Sequence, residues 1–177
     1  YKRQLYNQNG KTTITGGYFS GYPGMKVLQF AFGGGSDNEY LPHNYTPNSV
    51  VYTGTHDNET LMQYLDGTQD HVRNHIREYM NRPHASNGEL CENLIWMAMS
   101  SVGKYCMIPL QDYLGLGKEA RMNYPSTLGH NWEWRVRKEQ LTHDLAGYIA
   151  HMTGLSYRWR IDPPKEEETN ETDTENE

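Results

Sequence analysis

With 177 residues and a mean hydropathy of −0.89, the chain is polar but long enough for one domain with a core, and no apolar run approaches the length of a membrane span. Seven of its 22 acids but only one of its 16 bases fall in residues 163–177, so the net charge of −6 resides in that tail. The remaining 15 acids and 15 bases balance, which excludes the basic surface of a nucleic-acid-binding protein. Two cysteines, Cys91 and Cys106, are too few for a disulfide framework or a thiolate metal cluster, and they point to a reducing compartment.

In chain order, residues 1–20 carry no acid and stand apart as a segment of their own. Residues 25–32 (MKVLQFAF) predict a buried strand, and the following GGGS at 33–36 has neither the spacing nor the helix of a dinucleotide-binding loop. A second strand is expected at 50–53. Helical material follows: ETLMQYL, then TQDHVRNHIREYMN as far as the breaker pair Arg82-Pro83. Ser86 with Glu89 three residues on fits a capping box and opens a helix through LCENLIWMAM, whose apolar residues read as core. A third strand is expected at 105–110 (YCMIPL). Residues 111–135 form a polar-aromatic loop, an amphipathic helix covers about 138–153, and the acidic residues 161–177 are expected to be disordered. His71 and His75 stand four apart on the helix in HVRNH, but that stretch lacks the Glu of a zinc protease. It reads as a polar, solvated helix, and no metal is expected.

Continuous rather than alternating hydrophobicity in the strands indicates a sheet covered on both faces. Strand, loop and helix alternate as in an α/β protein with a parallel sheet, and a doubly wound sheet and a barrel both fit. In either, chemistry gathers at the carboxyl ends of the strands. The polar residues here do the same: Asp37 and Glu39 follow the first strand, His56-Asp57-Asn58 the second, Gln111-Asp112 the third. A carboxylate beside imidazole and amide groups, in a chain with 14 Tyr and 4 Trp, suits carbohydrate, whose hydroxyls need polar partners and whose ring faces stack on aromatics. LPHNY, ARMNY and HNWEW mix those groups in loops. Read locally, Asp57 could equally serve a turn after Gly54, His56 an ordinary loop bond, and Asp112 a helix cap.

The segments PGMKVLQFAF, YLPHNY, VVYTGTHDNET, PLQDYLGLG, ARMNYP and NWEWR, in this order over residues 21–157, resemble the 4-α-glucanotransferases, the amylomaltases and plant disproportionating enzymes. One departure is Ser126, where the family favours Gly or Ala. The resemblance implies an α/β fold, part of a (β/α)8 TIM barrel incomplete in this chain, with the three strands as numbers six to eight within residues 21–160. It implies transfer of α-1,4-glucan segments by a retaining double displacement, in which two carboxylates stand about 5–5.5 Å apart. A third acid binds the distorted sugar, and here that acid is Asp57. His56, Asn58, His43, Gln111, Asp112 and Asn123 are the implied substrate-binding residues. No cofactor or metal is implied, and the implied partners are α-1,4-glucan oligosaccharides in the cytoplasm, or in the plastid of a plant. The nucleophile and the acid/base Glu are expected upstream of PGMKVLQ, yet no Asp or Glu precedes Asp37. The chain is therefore expected to be the carboxy-terminal third of a barrel, inactive alone. The alternatives are a hydrolase of the same class and a non-catalytic glucan-binding protein derived from this family.

Overall fold

The computed structural model describes residues 3–7, 10–14 and 21–159. Strands β1 (Arg3–Asn7) and β2 (Gly10–Ile14) pair antiparallel, Arg3 opposite Ile14 and Asn7 opposite Gly10. No strand was expected in residues 1–20. The acidic tail expected at 161–177 lies outside the described residues.

Strand β3 (Gly24–Val27) is shorter than the apolar run that predicts it. The chain leaves the sheet into a 3₁₀ turn at Leu28–Phe30. Leu28, Ala31 and Phe32 are buried all the same, so the continuous hydrophobicity reports burial rather than extension. The side chain of Asn38 donates to the carbonyls of Phe30 and Ala31, both at 2.9 Å, in place of a strand neighbour. After a 3₁₀ turn at Pro42–Asn44 comes β4 (Ser49–Tyr52). Helix α1 (Leu61–Gly67) starts where the Thr60 hydroxyl accepts from Gln63 N.

Helix α2 (Asp70–Tyr79) is not polar on every side. Ile76 is fully buried, Val72 packs on the core, and His75 Nδ1 meets the Phe32 carbonyl at 3.0 Å. Helix α3 (Asn87–Met99) begins with the expected capping box: Glu89 N–H donates to Ser86 Oγ, and Glu89 Oε2 accepts from Ser86 N at 2.8 Å. Leu90, Leu94, Ile95 and Ala98 bury its inner face. Strand β5 (Tyr105–Met107) stops before Pro109, and α4 (Leu110–Tyr113) follows within the same apolar run. A 3₁₀ turn at Lys138–Gln140 precedes α5 (His143–Leu155), whose true start is fixed by Thr142 accepting from Leu145 N at 3.1 Å.

The parallel sheet has the order β3-β4-β5. Register sorts its two faces. Lys26, Val51 and Cys106 lie abreast on one face, and Val51 is wholly buried in one core with Leu61, Leu65, Leu90 and Leu94. Full burial of each such side chain contributes about 1.5–3 kcal/mol. On the other face Met25, Val50 and Tyr105 lie abreast, then Val27, Tyr52 and Met107. Met25, Tyr105 and Met107 are each half exposed or more. The expected sheet with two covered faces is thus closely covered on the Val51 face, whereas on the other face Val27 is buried and Met25, Tyr105 and Met107 stay open.

Candidate active site

Strand β4 delivers the loop that holds His56, Asp57 and Asn58. At Gly54 a Cβ would meet Gln29 Nε2 at 2.6 Å and Asn58 Cβ at 3.3 Å, so any larger residue would have to push the buried Gln29 amide aside. Gln29 Nε2 also donates to the Glu59 carbonyl at 2.7 Å. Asn58 Oδ1 accepts from Thr55 N at 2.9 Å and Thr55 Oγ1 at 2.8 Å. This side-chain turn throws His56 and Asp57 to the tip of the loop, with side chains 56% and 51% exposed.

At that tip Asn123 Nδ2 donates to Asp57 Oδ1 at 2.7 Å, and His56 Nε2 lies 3.2 Å from the same oxygen. Both partners engage Oδ1, which leaves Oδ2 for a hydroxyl donor. The His56 ring leans on Trp132, centroids 5.0 Å apart. Trp132 adopts φ 64°, a left-handed conformation that costs a bulky residue about 1–3 kcal/mol. Its backbone N–H donates to the Met122 carbonyl at 2.7 Å, which holds the main chain that presents the indole beside the loop. Arg121 reaches across: Nη2 donates to the Asp57 carbonyl at 3.0 Å, Nε to the Asn123 carbonyl at 3.0 Å, and Nη1 stands 3.4 Å from Glu59 Oε1. A cavity of about 220 Å³ opens here among His56, Asn58, Glu59, Gln111, Arg121 and Trp132.

Beneath the loop lies Asp112, 2% exposed. Thr53 Oγ1 donates to its Oδ2 at 2.6 Å, and Leu61 N to its Oδ1 at 2.8 Å. Residues 53 and 61 bracket the loop, so one carboxylate ties both of its ends. Burial pushes the Asp112 carboxyl up to about 6, against the pull of these two hydrogen bonds. Asp112 therefore caps α1 rather than its own helix α4, whose N-terminal position is taken by Pro109.

Of the residues singled out from sequence, His56, Asp57, Asn58 and Asn123 come together at the tip. Gln111 and Asp112 are buried below, with Gln111 Nε2 donating to the Ala120 carbonyl at 3.3 Å. His43 joins a different set of contacts. Its Nε2 lies 2.9 Å from the Ser36 carbonyl and its Nδ1 2.9 Å from the Tyr79 hydroxyl. A carbonyl only accepts, so Nε2 holds the proton and both ring nitrogens brace the 36–44 loop. Glu39 pairs with Lys26 at 3.2 Å. Among the described residues no group of three or more His, Cys, Asp or Glu is placed to hold a metal. Arg121, Trp132 and Glu59 were not foreseen as site residues. The signal was at hand, since Arg121 and Trp132 sit inside ARMNY and HNWEW and Glu59 ends the His-Asp-Asn run.

The sequence model of the family described as 4-alpha-glucanotransferase matches residues 18–142, which contain every residue of this site. The chain belongs to the 4-alpha-glucanotransferase family. It is 42% identical over 139 residues to the 4-alpha-glucanotransferase of Clostridium butyricum, a match covering 77% of this chain and 28% of that protein. The chloroplastic/amyloplastic 4-alpha-glucanotransferase of Solanum tuberosum is 46% identical over 114 residues, 64% of this chain and 19% of that one. Among solved structures, the amylomaltase from Streptococcus agalactiae in complex with acarbose is similar with a TM-score of 0.74 and 30% identity. That match covers 82% of this chain and 30% of the amylomaltase. The chain thus has an α/β fold with a small parallel sheet similar to amylomaltase, and it spans less than a third of the length of these relatives.

Proposed function

We propose that this chain forms one wall of the glucan site of a 4-α-glucanotransferase, gripping the α-1,4-linked sugar whose bond is exchanged in a retaining transfer. The observation that carries the proposal is the Asp57 carboxylate, anchored through Oδ1 by Asn123 and His56 at the carboxyl end of a parallel strand. Asp57 Oδ2 and the second ring nitrogen of His56, Nδ1, would engage vicinal hydroxyls, and Trp132 offers a flat apolar face beside them. The Asp57 charge would favour an oxocarbenium-like transition state over the ground state. Asn58, Gln111, Asp112 and His43 act here by holding loops in place.

On this reading β3, β4 and β5 are strands six to eight of a (β/α)8 barrel. The exposed Met25, Tyr105 and Met107 are then barrel-interior positions, which their register on one face supports. The nucleophile and acid/base lie outside this chain, in keeping with the lack of any acid before Asp37. No helix among the described residues is long and apolar enough to cross a membrane. Two free cysteines suit a reducing compartment such as the cytoplasm or a plastid.

The test is titration of the chain with acarbose, followed by tryptophan fluorescence and by NMR, alongside incubation with maltotriose. Weak binding that Asp57→Ala reduces at least about tenfold, with no glucose released, is the expected result. Binding indifferent to Asp57→Ala removes the assignment of the site. Glucose and longer maltodextrins formed by the chain alone would show that it already holds a complete catalytic set.

A further inference from the structure

We infer that Arg121 is a positioning residue that sets the Asp57 carboxylate against Asn123, an assignment that rests on the reading of Asp57 as a substrate-binding acid. Asp57 and Asn123 lie 66 residues apart in sequence, on different loops, and yet their side chains meet at 2.7 Å. The guanidinium of Arg121 is the group bonded to the backbone of both, with Nη2 on the Asp57 carbonyl and Nε on the Asn123 carbonyl, each at 3.0 Å. Its remaining nitrogen, Nη1, faces Glu59 Oε1 at 3.4 Å, so the charge has a counter-ion on the same loop as Asp57.

The orientation of this fork is itself fixed. The guanidinium carbon lies 4.4 Å from the centroid of the Tyr124 ring, and the side chain is only 14% exposed. A planar group with donors pointing in three set directions holds two backbones at one separation. An ammonium is a single point on a flexible stem and cannot. The Asn123–Asp57 hydrogen bond, between a half-buried amide and a solvent-exposed carboxylate, is short because Arg121 fixes the two loops that present it. Arg121 reaches Asp57 through the main chain and leaves Oδ2 for substrate.

The experiment uses the ¹⁵N-labelled chain with Arg121→Lys and Arg121→Gln. The side-chain amide of Asn123 is assigned by its loss in Asn123→Ala. In both Arg121 variants that amide is expected to move to the position of a solvated asparagine, while the melting temperature stays within about 5 °C of the parent. Acarbose affinity is expected to fall about tenfold, and Arg121→Lys combined with Asn123→Ala is expected to bind no more weakly than Asn123→Ala alone, since both act through one contact. An unmoved Asn123 amide overturns the assignment, as do losses that add in the double variant. Unfolding of both Arg121 variants also overturns it, because Arg121 would then belong to the fold. Should the parent bind no acarbose, the reading of Asp57 fails, and the Asn123 amide still decides the role of Arg121.

Discussion

Asp112 offers the most quantitative prediction. Its carboxyl is 2% exposed and its folded-state pKa is raised from 3.8 to about 6, with burial outweighing the bonds from Leu61 N and Thr53 Oγ1. A folded pKa above the unfolded one means that the native state keeps a proton that the unfolded state releases. Stability from this group is therefore greatest below pH 4 and declines as pH rises, with the loss complete above pH 6. Two pKa units correspond to about 3 kcal/mol. Asp112→Asn removes the titration. Its carbonyl can still accept from Leu61 N and its amide can donate to Thr53 Oγ1, leaving only the Thr53 hydroxyl proton without its acceptor, a cost of about 1 kcal/mol. Urea melts of parent and variant at pH 4, 5, 6 and 7 give the difference directly, because every other acid cancels. The Asn variant is expected to gain on the parent by about 2.4 kcal/mol across that range, starting slightly less stable and ending more stable. A difference that stays flat from pH 4 to pH 7 would refute the argument that burial governs this carboxyl. Asp112→Ala strands both donors and is expected to cost about 2–4 kcal/mol at pH 7 and to loosen the His56-Asp57-Asn58 loop.

Gly103→Ala places a Cβ 2.5 Å from Val51 Cγ2 and 3.0 Å from Ser49 Oγ, both on fully buried residues of β4. A loss of about 3 kcal/mol in chemical denaturation is expected, and a variant as stable as the parent would mean the sheet yields more easily than its packing implies. Arg158 donates to the carbonyls of Met99, Ser101 and Gly103 at 2.6, 2.9 and 3.0 Å, closing the carboxyl end of α3. Arg158→Gln is expected to cost about 2 kcal/mol and to speed amide exchange in the last turn of α3 ahead of its first. Ser86→Ala removes the capping box and is expected to lower stability by about 1 kcal/mol, read as a fall of about 2–4 °C in melting temperature.

The elements most legible in the sequence are those whose determinants lie within a few residues of one another. Ser86 and Glu89 announce the start of α3 because the capping box is closed by neighbours three apart. Val50 and Val51 announce β4, and the His56-Asp57-Asn58 run after Gly54 announces a polar loop at its end. The apolar run 25–32 was legible as buried but not as strand followed by turn. Hydrophobicity records how much of a side chain is hidden, whereas the exit at Leu28 depends on Asn38 reaching back to two carbonyls. Helix α2 misled in the opposite sense: a fully buried Ile76, with Val72 and Tyr79 packed on the core and a histidine bonded to Phe32, seats a helix that looks polar.

By itself the sequence determined the α/β alternation, the balanced charge of the body and the family wording, because each is written in composition or in short-range order. Tertiary structure alone decided the site's partners. Asp57 meets Arg121 and Asn123 from 64 and 66 residues away, and Thr53 meets Asp112 from 59. Such contacts are fixed by where parallel strands deliver their ends. A hydrogen bond needs its two groups within about 3 Å, and no local pattern brings residues that distant in sequence so close until the sheet has formed.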